Sequence, residues 1–179
     1  MLTLVIGGAR SGKSRCAQSL CSKGPRVTYI ATARLEDDEM RARVARHRRD
    51  RPAEWLTIEE PLAITDAVIL HAPQMDFVLL DCLTVWLSNF CSERRDYTPE
   101  ELELAASEEV TRLITASASS HVVIVTNEVG NGIVPESPVG RLFRDLHGLI
   151  NQQVASEADF VYQTVAGILV LIKPTGGCA

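Results

Sequence analysis

The sequence lacks any pair of cysteines spaced as C-x-x-C, and its five cysteines are odd in number and widely dispersed. This pattern is typical of small, reduced core residues, and it argues against a zinc site or a disulfide framework. Long apolar runs are also missing, because no stretch approaches the roughly 20 residues that a membrane-spanning helix requires. The N-terminal apolar run is short and has no cleavage-type segment. We therefore expect a soluble, cytoplasmic protein without a transmembrane segment.

The chain also has no internal repeat, no low-complexity tract and no linker, and its 179 residues match the length of one compact domain. Its net charge of −5 is unevenly distributed. Positions 1–52 carry 12 basic and 5 acidic residues, whereas positions 53–179 carry 6 basic and 18 acidic residues. A local basic region on an acidic protein favours a small anionic ligand over nucleic acid, which binds broad basic surfaces. The sequence thus predicts a single domain over residues 1–179 that does not bind nucleic acid.

Apolar runs that alternate with amphipathic segments predict an α/β fold. The predicted strands cover 2–8, 26–32, 75–84 and 121–130, and two closing strands within 159–174 meet near Ala166 and Gly167. The predicted helices cover 13–22, 36–49, 61–71, 99–118 and 139–156. Such alternation is typical of a three-layer sandwich with a mostly parallel central sheet, which binds ligands at the carboxyl ends of its strands.

A complete phosphate-loop pattern, G-x-x-x-x-G-K-[ST], stands between the first predicted strand and the first predicted helix. Its members are Gly7, Gly8, Ala9, Arg10, Ser11, Gly12, Lys13 and Ser14. Glycines let the backbone direct its N–H groups at phosphate oxygens, and the positive end of the following helix attracts the same anions. Lys13 can bridge the β- and γ-phosphates, and the Ser14 hydroxyl can bind Mg²⁺. This context favours a nucleotide site over a glycine-rich turn without a ligand.

A carboxylate that could complete this site follows a different apolar strand, in the segment FVLLDC. Proteins with a phosphate loop hold Mg²⁺ with such an acid, directly or through water. We therefore predict that Asp81 binds the metal, although an aspartate that caps the next helix would show the same pattern. Asn127 and Glu128 also follow a predicted strand, where ligands gather, and Glu128 fits a site role and an ordinary loop position equally well.

A histidine surrounded by arginines is the second unusual feature, because six arginines occur within residues 41–51. Arg43 and His47 are four positions apart and therefore lie on one face of the predicted helix. Such a cluster commonly forms a solvated basic face without any chemistry. Positive neighbours, however, favour a neutral imidazole, which can attack phosphorus while arginines stabilise the developing charge. The negative end of the helix dipole opposes this effect, so both interpretations stay open.

Taken together, the motifs of this sequence match those of one known family. The chain carries GGARSGKS, YIAT followed by DDEM, RVARHRRDRPAEW followed by TIEE, LLDCLTVWLSN, VTNEVGNGIVPESPVGRLFRD followed by NQ, and a closing VAGILVLIKP. Over essentially its whole length it resembles the bifunctional adenosylcobinamide kinase / adenosylcobinamide-phosphate guanylyltransferase of cobalamin biosynthesis. Many families share the phosphate loop alone, whereas its combination with H-x-x-x-R-P and TNEVGxGIVP is specific to this one.

The resemblance implies an enzyme with two reactions. The first phosphorylates the aminopropanol hydroxyl of adenosylcobinamide with ATP or GTP. The second transfers GMP from GTP through a guanylylated histidine, at the position of His47, and yields adenosylcobinamide-GDP and pyrophosphate. Some members carry two adjacent histidines, and in this chain Arg46 replaces the first of them. His47 is therefore the candidate nucleophile, and Lys13 is the second candidate catalytic residue.

The resemblance also implies nucleotide contacts outside the phosphate loop. The positions that match are Ala31, Thr32, Ala33, Arg48, Arg49, Asp50, Arg51, Glu59 and Asp81. Several members have Glu at the position of Asp81, and Ser is frequent at that of Ala33. The family further implies a RecA-like P-loop domain, Mg²⁺ as cofactor, GTP and ATP as substrates, a corrinoid substrate, and a homo-oligomer for which a trimer is the known arrangement.

Two other functions are compatible with the phosphate loop. A monofunctional small-molecule kinase would leave His47 without a chemical role, and a GTP-dependent switch would bind nucleotide without transferring any part of it. The sequence contains no guanine-reading N-K-x-D element, which argues against a standard switch. The sequence identifies neither the residues that contact the corrin ring nor the number of nucleotide sites.

Overall fold

The computed structural model of the chain describes residues 1–34, 51–118 and 120–173. The predicted helix 36–49 lies outside these residues, as do four candidate site residues, His47, Arg48, Arg49 and Asp50. The strands are β1 (Leu2–Gly7), β2 (Val27–Ala31), β3 (Leu56–Glu59), β4 (Phe77–Asp81), β5 (Val122–Asn127), β6 (Phe160–Val165) and β7 (Ile168–Lys173). The α-helices are α1 (Lys13–Cys21), α2 (Ile64–His71), α3 (Leu83–Ser92), α4 (Pro99–Ser117) and α5 (Pro138–Glu157).

The strands of the described residues form one seven-stranded sheet in the order β3-β2-β4-β5-β1-β6-β7. Neighbouring strands are parallel except β6 and β7, which form an antiparallel hairpin. β1 therefore lies between β5 and β6, and β4 lies on the far side of β5. The mostly parallel α/β sheet predicted from the sequence is confirmed, and the loop after β1 emerges near the middle of its carboxyl edge.

Helices cover both faces of this sheet because its strands are apolar on both sides. The consecutive β1 residues Leu4 and Val5 point to opposite faces and belong to two different core clusters. Leu4 packs in the larger cluster, which includes Trp86 of α3 and apolar residues of α2, α4 and α5. Val5 packs in the smaller cluster, which includes Ala17 and Cys21 of α1. The result is the predicted three-layer arrangement, with α1 alone on its face among the described helices.

Several observed elements differ from the predicted ones. The strand within 75–84 ends at Asp81 as expected, but helix α3, which follows it, was not predicted. A short apolar run has the same appearance in a buried strand and in a buried helix. The helix expected from position 61 begins at Ile64. Strand β3 was not predicted, because its four residues are largely exposed and form the edge of the described sheet.

A buried polar network lies beneath the carboxyl end of β5. His147 of α5 is fully buried, and its Nε2 is 3.0 Å from Thr84 Oγ1 and 3.2 Å from Thr126 Oγ1. Asn151 Nδ2 donates to the backbone oxygen of Asn127 at 3.0 Å. The backbone N–H of Asn127 donates to Thr84 Oγ1 at 2.8 Å. Thr126 Oγ1 donates to Asn151 Oδ1 (2.8 Å). These bonds tie the end of β5 to α3 and α5 at the edge where the candidate site lies.

The burial of His147 predicts a pH-dependent stability, because burial lowers the pKa of this imidazole to about 4 from an ordinary value of 6.5. As the pH falls from 6.5 towards 4, the unfolded chain takes up the proton before the folded chain does. We expect this effect to lower the free energy of unfolding by about 1–2 kcal/mol between pH 7 and pH 5. Urea unfolding at both pH values is the measurement, and a His147→Gln variant should show a smaller pH difference than the parent. Equal differences in both proteins would contradict the prediction.

Candidate active site

The phosphate loop connects β1 to α1 and is shaped by its glycines. Gly7 ends β1 and has no room for a side chain, because a Cβ there would lie 2.6 Å from the backbone oxygen of Thr164. Gly12 has a φ of 94°, a left-handed conformation that glycine adopts without steric penalty. The turn between β6 and β7 packs on the loop, where the Gly167 N–H donates to the Ser11 backbone oxygen at 2.8 Å. The loop is thus held in place by β6 and the turn that follows it.

Two polar side chains of this loop are available for phosphate oxygens. Lys13 begins α1 and is only 8% exposed, and its Nζ donates to the backbone oxygen of Gly8 at 2.7 Å. The ammonium group therefore lies over the loop. The Ser11 hydroxyl is buried and has no hydrogen-bond partner within the described part of the chain. Burying a hydroxyl without a partner is unfavourable, and a phosphate oxygen on the loop could supply that partner.

Asp81 ends β4 and pairs in register with Ala31 of β2. Its Oδ2 accepts a hydrogen bond of 2.6 Å from the Tyr29 hydroxyl. The following helix, α3, has Cys82 as its N-cap residue and no side-chain cap, so Asp81 does not cap that helix. The alternative role that the sequence left open for Asp81 is therefore wrong, and its carboxylate lies at the carboxyl edge of the sheet.

The phosphate loop and the end of β4 lie close together. Burial raises the pKa of the Cys82 thiol to about 11, and Asp81 adds to this increase, whereas the positive charge of Lys13 partly opposes it. Helix α1, which Lys13 begins, contacts β4 and β5 in addition to β1. The lysine of the loop and the carboxylate at the end of β4 are therefore candidates for one site.

A second group of candidate residues lies at the carboxyl ends of β2 and β3. Thr32 Oγ1 donates to the Cys82 backbone oxygen (2.8 Å) and accepts from the Cys82 N–H (2.9 Å), which ties the end of β2 to that of β4. Arg51 Nη1 donates to Thr57 Oγ1 of β3 at 3.2 Å. Four of the predicted contacts lie at these strand ends, namely Ala31, Thr32, Ala33 and Glu59, whereas Arg51 contacts β3 nearer its start. The structure brings them to the side of β4 that faces away from β5.

A cleft of about 370 Å³ opens on the opposite side of the phosphate loop, towards β6. Its walls are residues 8–11 of the loop, residues 163–166 at the end of β6, and Glu128 and Asn131 after β5. Thr164 is 1% exposed, and its hydroxyl has no hydrogen-bond partner among the residues that the structure describes. The sequence assigned no site role to residues 163–166, although the closing VAGILVLIKP segment begins at Val165. The position of Glu128 favours the site role over the ordinary loop role.

Comparison with known proteins identifies the family. A family model described as cobinamide kinase / cobinamide phosphate guanyltransferase matches residues 3–172. This chain belongs to that family. The bifunctional adenosylcobalamin biosynthesis protein CobU of Escherichia coli (strain K12) is 43% identical over 181 residues, and the protein of the same name from Salmonella typhimurium is 43% identical over 183 residues. Each comparison covers 97% of this chain and 100% of the relative.

A third relative of this cobinamide kinase / guanyltransferase family extends the agreement to another genus. The bifunctional adenosylcobalamin biosynthesis protein CobP of Pseudomonas aeruginosa is 39% identical over 176 residues, which cover 97% of this chain and 98% of the relative. The resemblance inferred from the motifs is therefore confirmed over nearly the full length of the chain.

Solved structures share the fold of this family member. An ATPase from the type III secretion system of pathogenic bacteria aligns with a TM-score of 0.61 at 9% identity, covering 95% of this chain and 56% of that chain. The P4 protein from bacteriophage phi6, solved in complex with ADP, aligns with a TM-score of 0.50 at 14% identity, covering 98% of this chain and 56% of that chain. The chain thus spans about half the length of each. Likeness at such identities shows the fold alone, and it confirms the α/β phosphate-loop fold.

The donor set of the cobinamide kinase / guanyltransferase site is suitable for Mg²⁺. Ser14, the second residue of α1, carries a hydroxyl and Asp81 a carboxylate, and Mg²⁺ prefers such oxygen donors. Mg²⁺ usually binds through one or two protein oxygens together with water and substrate phosphates. In residues 1–34, 51–118 and 120–173, there is no group of three or more His, Cys, Asp and Glu side chains that could hold a metal by itself.

The structure therefore divides the predicted site residues of this family member into three sets. The phosphate loop and Asp81 form one site, and the residues at the ends of β2 and β3 adjoin it. The third set lies outside the described residues and consists of His47, Arg48, Arg49 and Asp50. The roles of all three sets in nucleotide binding and catalysis stay predictions. Within the described helices, none is long and apolar enough to cross a membrane.

Proposed function

We propose that this chain catalyses both reactions of its family. In the first, the aminopropanol hydroxyl of adenosylcobinamide receives the γ-phosphoryl group of ATP or GTP. In the second, the new phosphate receives GMP from GTP, and pyrophosphate is released. The observation that carries the proposal is a complete phosphate loop at the start of α1, a helix that packs against the strand ending in Asp81. Relatives named bifunctional adenosylcobalamin biosynthesis proteins align with 97% of this chain, which supports it.

The phosphoryl step depends on positioning and charge stabilisation, because phosphoryl transfer needs little covalent help from the protein. Backbone N–H groups of the loop and the N-terminus of α1 bind the phosphate oxygens, and Lys13 stabilises the charge that develops between the β- and γ-phosphates. The acceptor oxygen bonds to the γ-phosphorus, the bond to the β-phosphate oxygen breaks, and the nucleoside diphosphate leaves. Ser14 and Asp81 would hold Mg²⁺, which neutralises phosphate charge when it is bound.

The guanylyl step uses His47 as the nucleophile. Its imidazole nitrogen bonds to the α-phosphorus of GTP and pyrophosphate leaves; a phosphate oxygen of the acceptor then bonds to the same phosphorus and frees His47. Arg48 and Arg51 stabilise the charge on the α-phosphate oxygens. The position of Arg51 supports this proposal, because Arg51 is only four residues beyond His47 and contacts Tyr29, which in turn binds Asp81.

The remaining assignments complete the proposal. The other residues that contact the nucleotide are Ala31, Thr32, Ala33, Arg49, Asp50 and Glu59. We propose a cytoplasmic homo-oligomer and, on the family resemblance, a trimer. Self-association is supported by β7, an edge strand of the described sheet, on which Ile168, Val170 and Ile172 are 66%, 46% and 56% exposed. Exposed apolar edge strands tend to be covered by another chain.

The proposal is tested by the products that the purified protein forms from adenosylcobinamide. With ATP and Mg²⁺ alone, we expect mass spectrometry to detect only the phosphorylated corrinoid. With GTP added, the phosphorylated corrinoid should be converted to the GDP-linked corrinoid, with one pyrophosphate released for each conversion. Phosphorylation without conversion would indicate a monofunctional kinase. Nucleotide binding without either product would indicate a switch.

A further inference from the structure

Tyr29 joins two of the candidate site residues although no motif singled it out for a role. It lies in β2, between β3 and β4, and is 2% exposed. Its hydroxyl donates to Asp81 Oδ2 at 2.6 Å. On the face of its ring lies Arg51, whose Cζ is 3.4 Å from the ring centroid. The ring and the hydroxyl thus contact groups of opposite charge that are separated by 30 positions in the chain.

The ring of Tyr29 is held firmly in its position. Its side chain packs in the smaller core cluster, together with Leu79 of β4 and Val123 of β5. Arg51 covers one ring face, and the guanidinium is in turn fixed by its hydrogen bond to Thr57. A cation on an aromatic face is attracted by the ring electrons, so this contact resists rotation of the ring.

A fixed ring gives the hydroxyl a fixed direction, and the hydroxyl then constrains the carboxylate. A hydrogen bond to an ionised acceptor is short and strong, as the 2.6 Å distance indicates. Because one carboxylate oxygen accepts this bond, the rotamer of Asp81 is set before any ligand binds.

We propose that Tyr29 is a positioning residue for the nucleotide-binding site, whose hydroxyl orients the Asp81 carboxylate so that its second oxygen faces the metal–nucleotide ligand. The proposal rests on the proposed function, because it assigns Asp81 to the metal. Groups that orient a metal ligand typically change metal affinity or activity by about 10–100-fold when they are removed. A tyrosine that serves the core alone would affect folding and leave these quantities unchanged.

The test compares Tyr29→Phe with the parent in three measurements. The substitution removes the hydroxyl and keeps the ring under Arg51. We expect Mn²⁺, used as a probe for Mg²⁺, to bind about 10-fold more weakly to the complex of the variant with a non-hydrolysable ATP analogue. The kcat of phosphoryl transfer should fall by a similar factor, whereas the affinity for the metal-free analogue should stay within about twofold. Tyr97→Phe, at an exposed tyrosine outside the site, is the matched control and should leave all three quantities unchanged.

A double-variant comparison separates positioning from a purely structural role. In an Asp81→Asn background, Tyr29→Phe should cause no further loss of Mn²⁺ affinity, because the two changes remove the same interaction. The proposal would be overturned if Tyr29→Phe bound Mn²⁺ as tightly as the parent does, or if Tyr29→Phe caused the same loss of Mn²⁺ affinity with and without Asp81→Asn. It would also be overturned if the parent complex with the nucleotide analogue bound no Mn²⁺. The binding measurement does not require the protein to convert a corrinoid. If the parent bound Mn²⁺ and nucleotide but transferred no phosphoryl or GMP group, the proposed function would be refuted and the Tyr29 proposal would still stand.

Discussion

Replacing His47 with alanine is expected to abolish the covalent GMP adduct that the parent forms with GTP and Mg²⁺. The alanine variant has no nitrogen to bond to the α-phosphorus, and loss of a nucleophile lowers the rate of its step by at least about a thousandfold. Phosphoryl transfer from ATP should stay within a few-fold of the parent, because that step needs no covalent intermediate. Intact-mass spectrometry detects the adduct, and assays with ATP and with GTP measure the two reactions separately.

A second histidine variant controls for general damage. His121 is an exposed residue at the amino end of β5, the end of the strand opposite the candidate site. His121→Ala should therefore form the adduct at the rate of the parent. An adduct on His47→Ala would refute the assigned nucleophile. An equal loss of both reactions in that variant would show that the residue supports the site or the fold instead.

Replacing Lys13 with methionine is expected to lower both reactions, and phosphoryl transfer most strongly. Methionine keeps most of the length and apolar packing of this largely buried side chain but removes its charge. A preorganised charge that stabilises developing negative charge on the phosphates contributes on the order of 10²–10³-fold to kcat. Guanylyl transfer should fall as well, because GTP must bind with its phosphates on the same loop. Steady-state kinetics of the two reactions and a fluorescent-nucleotide binding assay measure these effects.

The control for Lys13→Met is Lys23→Met, an exposed lysine just beyond α1. This variant should match the parent in both reactions and in thermal stability. Parent-like kcat in Lys13→Met would contradict the assigned role even if nucleotide affinity decreased. Comparing the lysine variant with His47→Ala also distinguishes the proposed functions. In a monofunctional kinase, Lys13→Met would lower the activity and His47→Ala would leave it unchanged.

The phosphate loop could be predicted from the sequence because its chemistry is local. Gly7, Gly12 and Lys13 stand within seven consecutive positions, and the neighbouring strand and helix follow from short-range patterns. The alternation of apolar and amphipathic segments similarly predicted a parallel sheet, which the strand order confirms. Prediction was poorer where an element has too little pattern, as in the exposed β3, or where an apolar helix directly follows an apolar strand, as for α3.

The sequence by itself determined the family, the fold class and the type of ligand, because these depend on contiguous motifs and on the alternation of apolar segments. Tertiary structure alone decided which distant side chains share the site. Tyr29 reaches Asp81 across 52 positions because β2 and β4 are neighbours in the sheet, and residues 163–166 reach the phosphate loop because β6 pairs with β1. Such contacts follow from strand order and register, which are set by the packing of the whole sheet and leave no signal in any single stretch of chain.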